Sequence, residues 1–119
     1  MDYEYWLRLG KAGARFGYLE EKLAGSRLYA ENKTLGARVM VHREINDIMK
    51  LLFGKVPDTW LMNYAHAVVE CKVDRSKSPR KFVVKLAITA VLATLIWNYS
   101  ISSGMWHTVS SWLNADGKA

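Results

Sequence analysis

The sequence predicts an all-α protein with one transmembrane helix in its C-terminal half. Half of its 119 residues are hydrophobic and only two are proline, so long helices meet few breaks. The run from Phe82 to Ile101 contains a single charge, Lys85, in its first turn. As a helix this run would be roughly 30 Å long, the thickness of a bilayer's hydrocarbon core. We expect short amphipathic N-terminal helices, two head helices, the transmembrane helix and a short tail helix.

The composition narrows the class of protein. A hydrophobic fraction of 50% with 24% charged residues excludes a disordered chain. The single cysteine, Cys71, cannot form an internal disulfide or hold zinc alone, and we expect it to be a small buried apolar residue. The net charge of +6 fits a nucleic acid, an anionic lipid surface or an orientation signal equally well.

The N-terminal segment, residues 2–23, mixes aromatic and basic side chains, which predicts one or two short amphipathic helices. Three glycines, Gly10, Gly13 and Gly17, weaken any single helix through it. Loops are expected at residues 24–26 and 30–33. The start, Met1-Asp2-Tyr3-Glu4, resembles neither a secretory signal nor a transit peptide, so the span and its basic flank would have to act as an internal targeting signal.

Two head helices are expected before the span, completing an extramembrane head over residues 1–77. Thr34 can cap a helix from Leu35 to Phe53, which Gly54 would end. A second helix should start at Pro57-Asp58-Thr59 and run to about Cys71. Residues 72–77 then form a short polar link.

The transmembrane helix is assigned to residues 78–101, with Ser78 as its cap and Pro79 in its first turn. The sequence Ser102-Ser103-Gly104 should end it. Residues 102–119 are then a short tail on the opposite side of the membrane, with a helix from about Met105 to Leu113. The alternative is the buried central helix of a small soluble all-α protein, which would also be apolar on every side.

Basic residues flank the start of the span. We call five of them the basic collar: Arg75, Lys77, Arg80, Lys81 and Lys85. By the positive-inside rule the head should face the cytosol or the mitochondrial matrix, and the collar should contact anionic lipid. A nucleic-acid patch is the alternative, although no aromatic residue is interleaved before Phe82.

The span has two further features. Aromatic residues near its far end are candidates for an interfacial belt: Trp97, Tyr99 and Trp106. Small residues at helical spacing offer a helix-docking face for a neighbouring membrane helix: Ala87, Ala90, Ala93 and Thr94.

The sequence gives no sign of an enzyme. Neither a phosphate-binding glycine loop nor HExxH, CxxC or GxSxG occurs in it. The three histidines, His42, His66 and His107, lack partners at metal-ligand spacing. We therefore predict no catalytic residues, no cofactor and no metal site.

Two short patterns resemble known families. The order Trp60-Leu61, Tyr64-Ala65, Arg75 and Ser78-Pro79-Arg80-Lys81 before one span resembles the small single-pass accessory subunits of the membrane arm of mitochondrial complex I. The stretch from Gly54 to Pro57 with Trp60-Leu61-Met62 resembles subunit f of mitochondrial ATP synthase, as a second choice. The distance from Trp60 to the span is shorter than in subunit f, and the tail is nearly uncharged where both families tend to be basic.

Both resemblances imply a non-catalytic subunit of a large hetero-oligomeric complex of the mitochondrial inner membrane, with its N-terminus in the matrix. Anionic lipid, for example cardiolipin, is then an expected partner and nucleic acid is not. The alternative function is a soluble basic helical RNA-binding protein, such as a protein of the mitochondrial ribosome.

Overall fold

The computed structural model describes residues 2–25, 27 and 37–115. These residues form α-helices and no strand, so the predicted all-α class is confirmed for the described part of the chain. The helices are α1 (Asp2–Lys11), α2 (Arg38–Phe53), α3 (Asp58–Glu70), α4 (Pro79–Asn98) and α5 (Ser103–Asn114).

The N-terminal segment forms one helix, not two, within residues 2–25. α1 ends at Lys11, and Gly13 then adopts a φ of 90°, which glycine reaches without a steric cost. Residues 14–25 are irregular. The predicted loop at residues 30–33 lies outside the described residues.

The two head helices agree with the prediction at three of their four ends. α2 begins at Arg38 instead of Leu35, and the proposed cap Thr34 lies outside the described residues. It ends where expected, because Gly54 adopts a φ of 73° and donates its N–H to the Lys50 carbonyl at 2.9 Å. α3 follows Pro57 and ends at Glu70, one residue before Cys71.

α4 begins at Pro79 as predicted, but its capping differs. Ser78 occupies the N-cap position, yet its side chain makes no capping hydrogen bond. The helix ends at Asn98, earlier than predicted, because Tyr99 adopts a φ of 59° and donates its N–H to Leu95 at 3.1 Å. Ser102, expected to terminate α4, instead caps α5 by accepting the Met105 N–H at 3.0 Å.

Helices α2 to α5 pack side by side in alternating directions. The ion pair between Arg38 and Glu70, at 2.5 Å, joins the start of α2 to the end of α3. α3 then packs along most of α4. Residues of all four helices and of the turns between them form one core: Ile45, Met49, Val56, Leu61, Ala65, Val69, Val73, Phe82, Leu86, Ala87, Ala90, Ala93, Trp97, Met105 and Val109.

Candidate membrane-facing helix and basic collar

The outward face of α4 is a continuous row of large aliphatic side chains. Among the described residues α4 is the one helix long and apolar enough to cross a membrane. We call its exposed aliphatic residues the outer stripe: Val84, Ile88, Leu92, Leu95 and Ile96, which are between 42% and 65% exposed. Their spacing follows one side of a helix for roughly 18 Å. The outer stripe is an apolar surface that no other described part of the chain covers.

The opposite face of α4 has small residues at its middle. The four residues predicted as a helix-docking face, Ala87, Ala90, Ala93 and Thr94, are at most 5% exposed. They pack inside this chain's own helical bundle, whereas the sequence analysis assigned them to a neighbouring membrane helix. Thr94 donates its hydroxyl to the Ala90 carbonyl at 2.8 Å, so this buried polar group is satisfied within the helix.

The middle of α4 has small side chains on its inner face and large ones outside, although Phe82, Leu86 and Trp97 also pack into the bundle nearer its ends. A soluble helix normally turns its large aliphatic side chains inward and its polar side chains to water. At the middle of α4 alanines face the bundle while Ile88, Leu92 and Ile96 face out. Small residues at helix contacts and large apolar residues outside are typical of membrane helices.

The basic collar lies at the start of α4, and all five of its side chains are exposed. The Arg75 guanidinium lies 5.6 Å from the centre of the Phe82 ring, which is itself buried. Beside the collar, Asp74 accepts hydrogen bonds from the hydroxyl and the N–H of Ser76, at 2.6 and 2.9 Å. These bonds, with a smaller contribution from Lys77, hold the pKa of Asp74 below its usual value. They fix the turn that leads into α4.

The three predicted interfacial aromatics do not point in one direction. Trp97 is buried and donates its indole N–H to the Asp47 carboxylate at 2.9 Å. Tyr99 is exposed, and the Lys50 ammonium lies 4.6 Å from its ring centre. Trp106, in α5, is also exposed. Only Tyr99 and Trp106 are placed where they could meet an interface.

A polar cluster ties the far end of α4 to the neighbouring helices, and the sequence analysis missed it. Asn98 accepts the Val56 N–H and donates to the Val56 carbonyl, both at 2.8 Å. Ser102 donates to the Asp58 carboxylate at 2.7 Å. The sequence signal was present in Asn98, a polar residue in an apolar run, but its partner is 42 residues away.

Charge is distributed unevenly among the packed helices. Between Leu86 and Ala115 the sequence contains no acidic, lysine or arginine residue. α5 folds back along the bundle, with the Trp112 ring 5.8 Å from the ring of His66 in α3. The part of α4 from Leu86 onward and all of α5 thus lack acidic, lysine and arginine residues, whereas the start of α4 carries Arg80, Lys81 and Lys85. α2, by contrast, is charged along its length and reaches α4 through Asp47.

Histidine and cysteine residues lie apart from one another. His42 packs near Trp60, and His66 packs between Phe82 and Trp112. Burial lowers the pKa of both imidazoles, and the Arg38 charge adds to this effect. Within the described ranges no three histidine, cysteine or carboxylate side chains are grouped as metal ligands would be. The prediction of a buried Cys71 is wrong, since this residue follows the end of α3 and is exposed.

One buried amide is unusual. Asn46 in α2 is fully buried, and neither its oxygen nor its nitrogen has a hydrogen-bond partner. The Nδ1 atom of His42, one helical turn earlier in α2, is also buried without a hydrogen-bond partner. A buried polar group without a partner costs about 1–3 kcal/mol. These two residues form a polar line on the inner side of α2.

Comparisons with protein-family models, with curated proteins and with solved structures find no match to this chain.

Proposed function

We propose that this chain is a non-catalytic single-pass accessory subunit that helps to assemble or stabilise an energy-converting complex of the mitochondrial inner membrane. The observation that supports it is the arrangement at the middle of α4, with alanines toward the bundle and the outer stripe facing away. An exposed apolar row of this length is unfavourable in water, and it is removed from water by lipid or by a hydrophobic subunit.

The residues at the two ends of the outer stripe support an orientation of α4 across the membrane. Lys81 and Lys85 lie at its start, where their long side chains can reach the headgroup region. Exposed Tyr99 and Trp106 lie at the other end, as in an aromatic belt. By the positive-inside rule, the start of α4 with its basic collar would then face the matrix.

The role of such a subunit is mechanical. The outer stripe would pack on lipid and on larger membrane subunits, and the basic collar would hold the start of α4 at an anionic surface. α1 would add a docking surface, because Tyr5 and Trp6 are about half exposed. The membrane arm of complex I is the favoured complex and the membrane sector of ATP synthase the next, on the resemblances described above.

The second candidate is a soluble basic helical RNA-binding protein. The packing of charged α2 beside α4 favours it, because the bond from Trp97 to Asp47 would bring a carboxylate to the level of the far end of the span. The exposed basic collar would then contact phosphates. Burial of Phe82 argues against base stacking there, since no exposed aromatic ring within the described ranges accompanies these charges.

Alkaline carbonate extraction of the source membranes separates the two candidates. An integral subunit stays in the pellet, and after detergent solubilisation it should comigrate with one respiratory or ATP synthase complex on a native gel. Release into the supernatant would reject the membrane proposal, and RNase-sensitive sedimentation of the released chain would then favour the RNA-binding candidate.

A further inference from the structure

A groove of about 310 Å³ lies between the end of α3 and the second and third turns of α4. We call it the two-lysine groove, after the residues that line it: Val68, Val69, Lys72, Lys85, Ile88 and Thr89. Its volume is near the lower end of the range for small-molecule sites. The groove therefore has room for part of an elongated ligand.

The walls of the groove are apolar. Val68, Val69 and Ile88 contribute aliphatic side chains. Thr89 donates its hydroxyl to the Lys85 carbonyl at 2.7 Å, so this polar group is satisfied without a ligand. Because Ile88 also belongs to the outer stripe, the groove opens directly onto that stripe.

The two ammonium groups of the groove have no carboxylate partner among the described residues. Neither Lys72 nor Lys85 takes part in an ion pair. The nearby carboxylates are already engaged: Glu70 binds Arg38, and Asp74 binds Ser76 and Lys77. An apolar wall with two unpaired cations is complementary to an anionic amphiphile.

We propose that the two-lysine groove binds one anionic phospholipid of the surrounding bilayer. The phosphate lies between the Nζ atoms of Lys72 and Lys85, and one acyl chain follows Val68 and Ile88 toward the outer stripe. This inference rests on the proposed function, because a bilayer phospholipid is at hand only for a protein held in the membrane. It gives Lys72 and Lys85, both in the basic flank of α4, one shared ligand.

The test uses the full chain in neutral detergent micelles with an environment-sensitive fluorophore on Cys71, the single cysteine, which is exposed and next to Lys72. Short-chain phosphatidylglycerol, short-chain phosphatidylcholine and inorganic phosphate are titrated separately. Two lysines at an anionic lipid are worth roughly a tenfold to thirtyfold preference, so phosphatidylglycerol should saturate at a correspondingly lower concentration. Inorganic phosphate should not saturate in that range.

Charge-matched variants decide whether the groove or the whole collar is responsible. Lys72→Gln with Lys85→Gln should bring the preference for phosphatidylglycerol close to one. Lys77→Gln with Lys81→Gln removes the same charge outside the groove and should leave most of the preference. Val68→Phe, which narrows the groove, should weaken binding of phosphatidylglycerol while the variant stays folded by circular dichroism.

Three outcomes would overturn the inference: no preference in the unmodified chain, an equal loss in both lysine pairs, or phosphate binding as tight as the lipid. Failure of the proposed function would give a different result: alkaline carbonate would release the unmodified chain from the membrane. A chain that stays in the membrane pellet but shows no lipid preference would reject the groove alone.

Discussion

The two faces of α4 are built from similarly apolar residues but have different surroundings. Ala90 and Thr94 are fully buried against the bundle, while Leu92, between them in sequence, is 53% exposed. The inner face is closed by the chain's own helices, and the outer stripe has no cover among the described residues. The mean hydropathy of the whole helix therefore does not show which face packs on the chain's own helices and which face needs lipid or another subunit.

The largest effect is expected from Leu92→Arg, which places a charge in the middle of the outer stripe. If this face meets lipid or a membrane subunit, the arginine costs about 2.5–3.5 kcal/mol on insertion and the chain should be lost from the native complex. The bundle itself should tolerate the substitution within about 0.5 kcal/mol, because the position is already exposed. Native-gel yield and thermal unfolding measure the two effects separately.

Leu51→Arg is the matched control, because Leu51 is an 83% exposed leucine of α2, outside the outer stripe. It should change neither the complex yield nor the unfolding temperature. A normal yield of complex from Leu92→Arg would contradict the membrane proposal directly.

The inner face should respond in the opposite way to Ala90→Leu. Ala90 is fully buried where α4 packs into the bundle, so the added atoms have no space. Overpacking of this kind costs about 1–3 kcal/mol, which should lower the unfolding temperature of the isolated chain. Val84→Leu, on the outer stripe, is the control and should leave that temperature nearly unchanged. Equal unfolding temperatures for both variants would mean that the two faces are not distinct.

The far end of α4 offers a matched pair of tryptophans. Trp97→Phe removes the hydrogen bond to the Asp47 carboxylate, and bonds to charged groups are worth about 1.5–3 kcal/mol. Trp106→Phe changes an exposed ring and should have little effect on stability. Denaturant unfolding of the isolated chain gives both values. If the two variants were equally stable, α2 would not be held to α4 in the way described.

Asn46→Leu should stabilise the chain, by about 1 kcal/mol. The buried amide of Asn46 has no hydrogen-bond partner, so leucine removes a desolvation cost and keeps a similar volume. Asn114→Leu is the control at an exposed position of α5 and should change stability little. A lower unfolding temperature in Asn46→Leu would show that this amide is satisfied in the folded protein.

Local signals in the sequence account for much of the helix layout. The starts of α3 and α4 follow from Pro57-Asp58 and Ser78-Pro79, and the end of α2 follows from Gly54, because each depends on residues within one turn. The end of α4 at Tyr99 could not be read in the same way, since a tyrosine with positive φ has no sequence signature.

The arrangement around α4 depended on contacts far apart in sequence. The bond from Trp97 to Asp47 joins residues separated by 50 positions, and the return of α5 toward His66 is equally non-local. Periodicity predicted that Ala87, Ala90 and Ala93 form one face, but not that the chain's own helices would cover it. The exposure of Cys71 likewise depends on where α3 ends.

The smallest expected effect is a pH dependence from His66, which packs between Phe82 and Trp112. Burial lowers the pKa of His66, and the nearby Arg75 and Arg38 charges lower it further, while Glu70 acts in the opposite sense. The unfolded chain therefore binds a proton more readily than the folded one. Stability from this group is fully present above the unfolded pKa of about 6.5 and is lost as pH falls through it toward the folded value. His66→Gln should flatten the decline in unfolding temperature over that window. A profile identical to that of the unmodified chain would place the acid sensitivity outside the contact between α3 and α5.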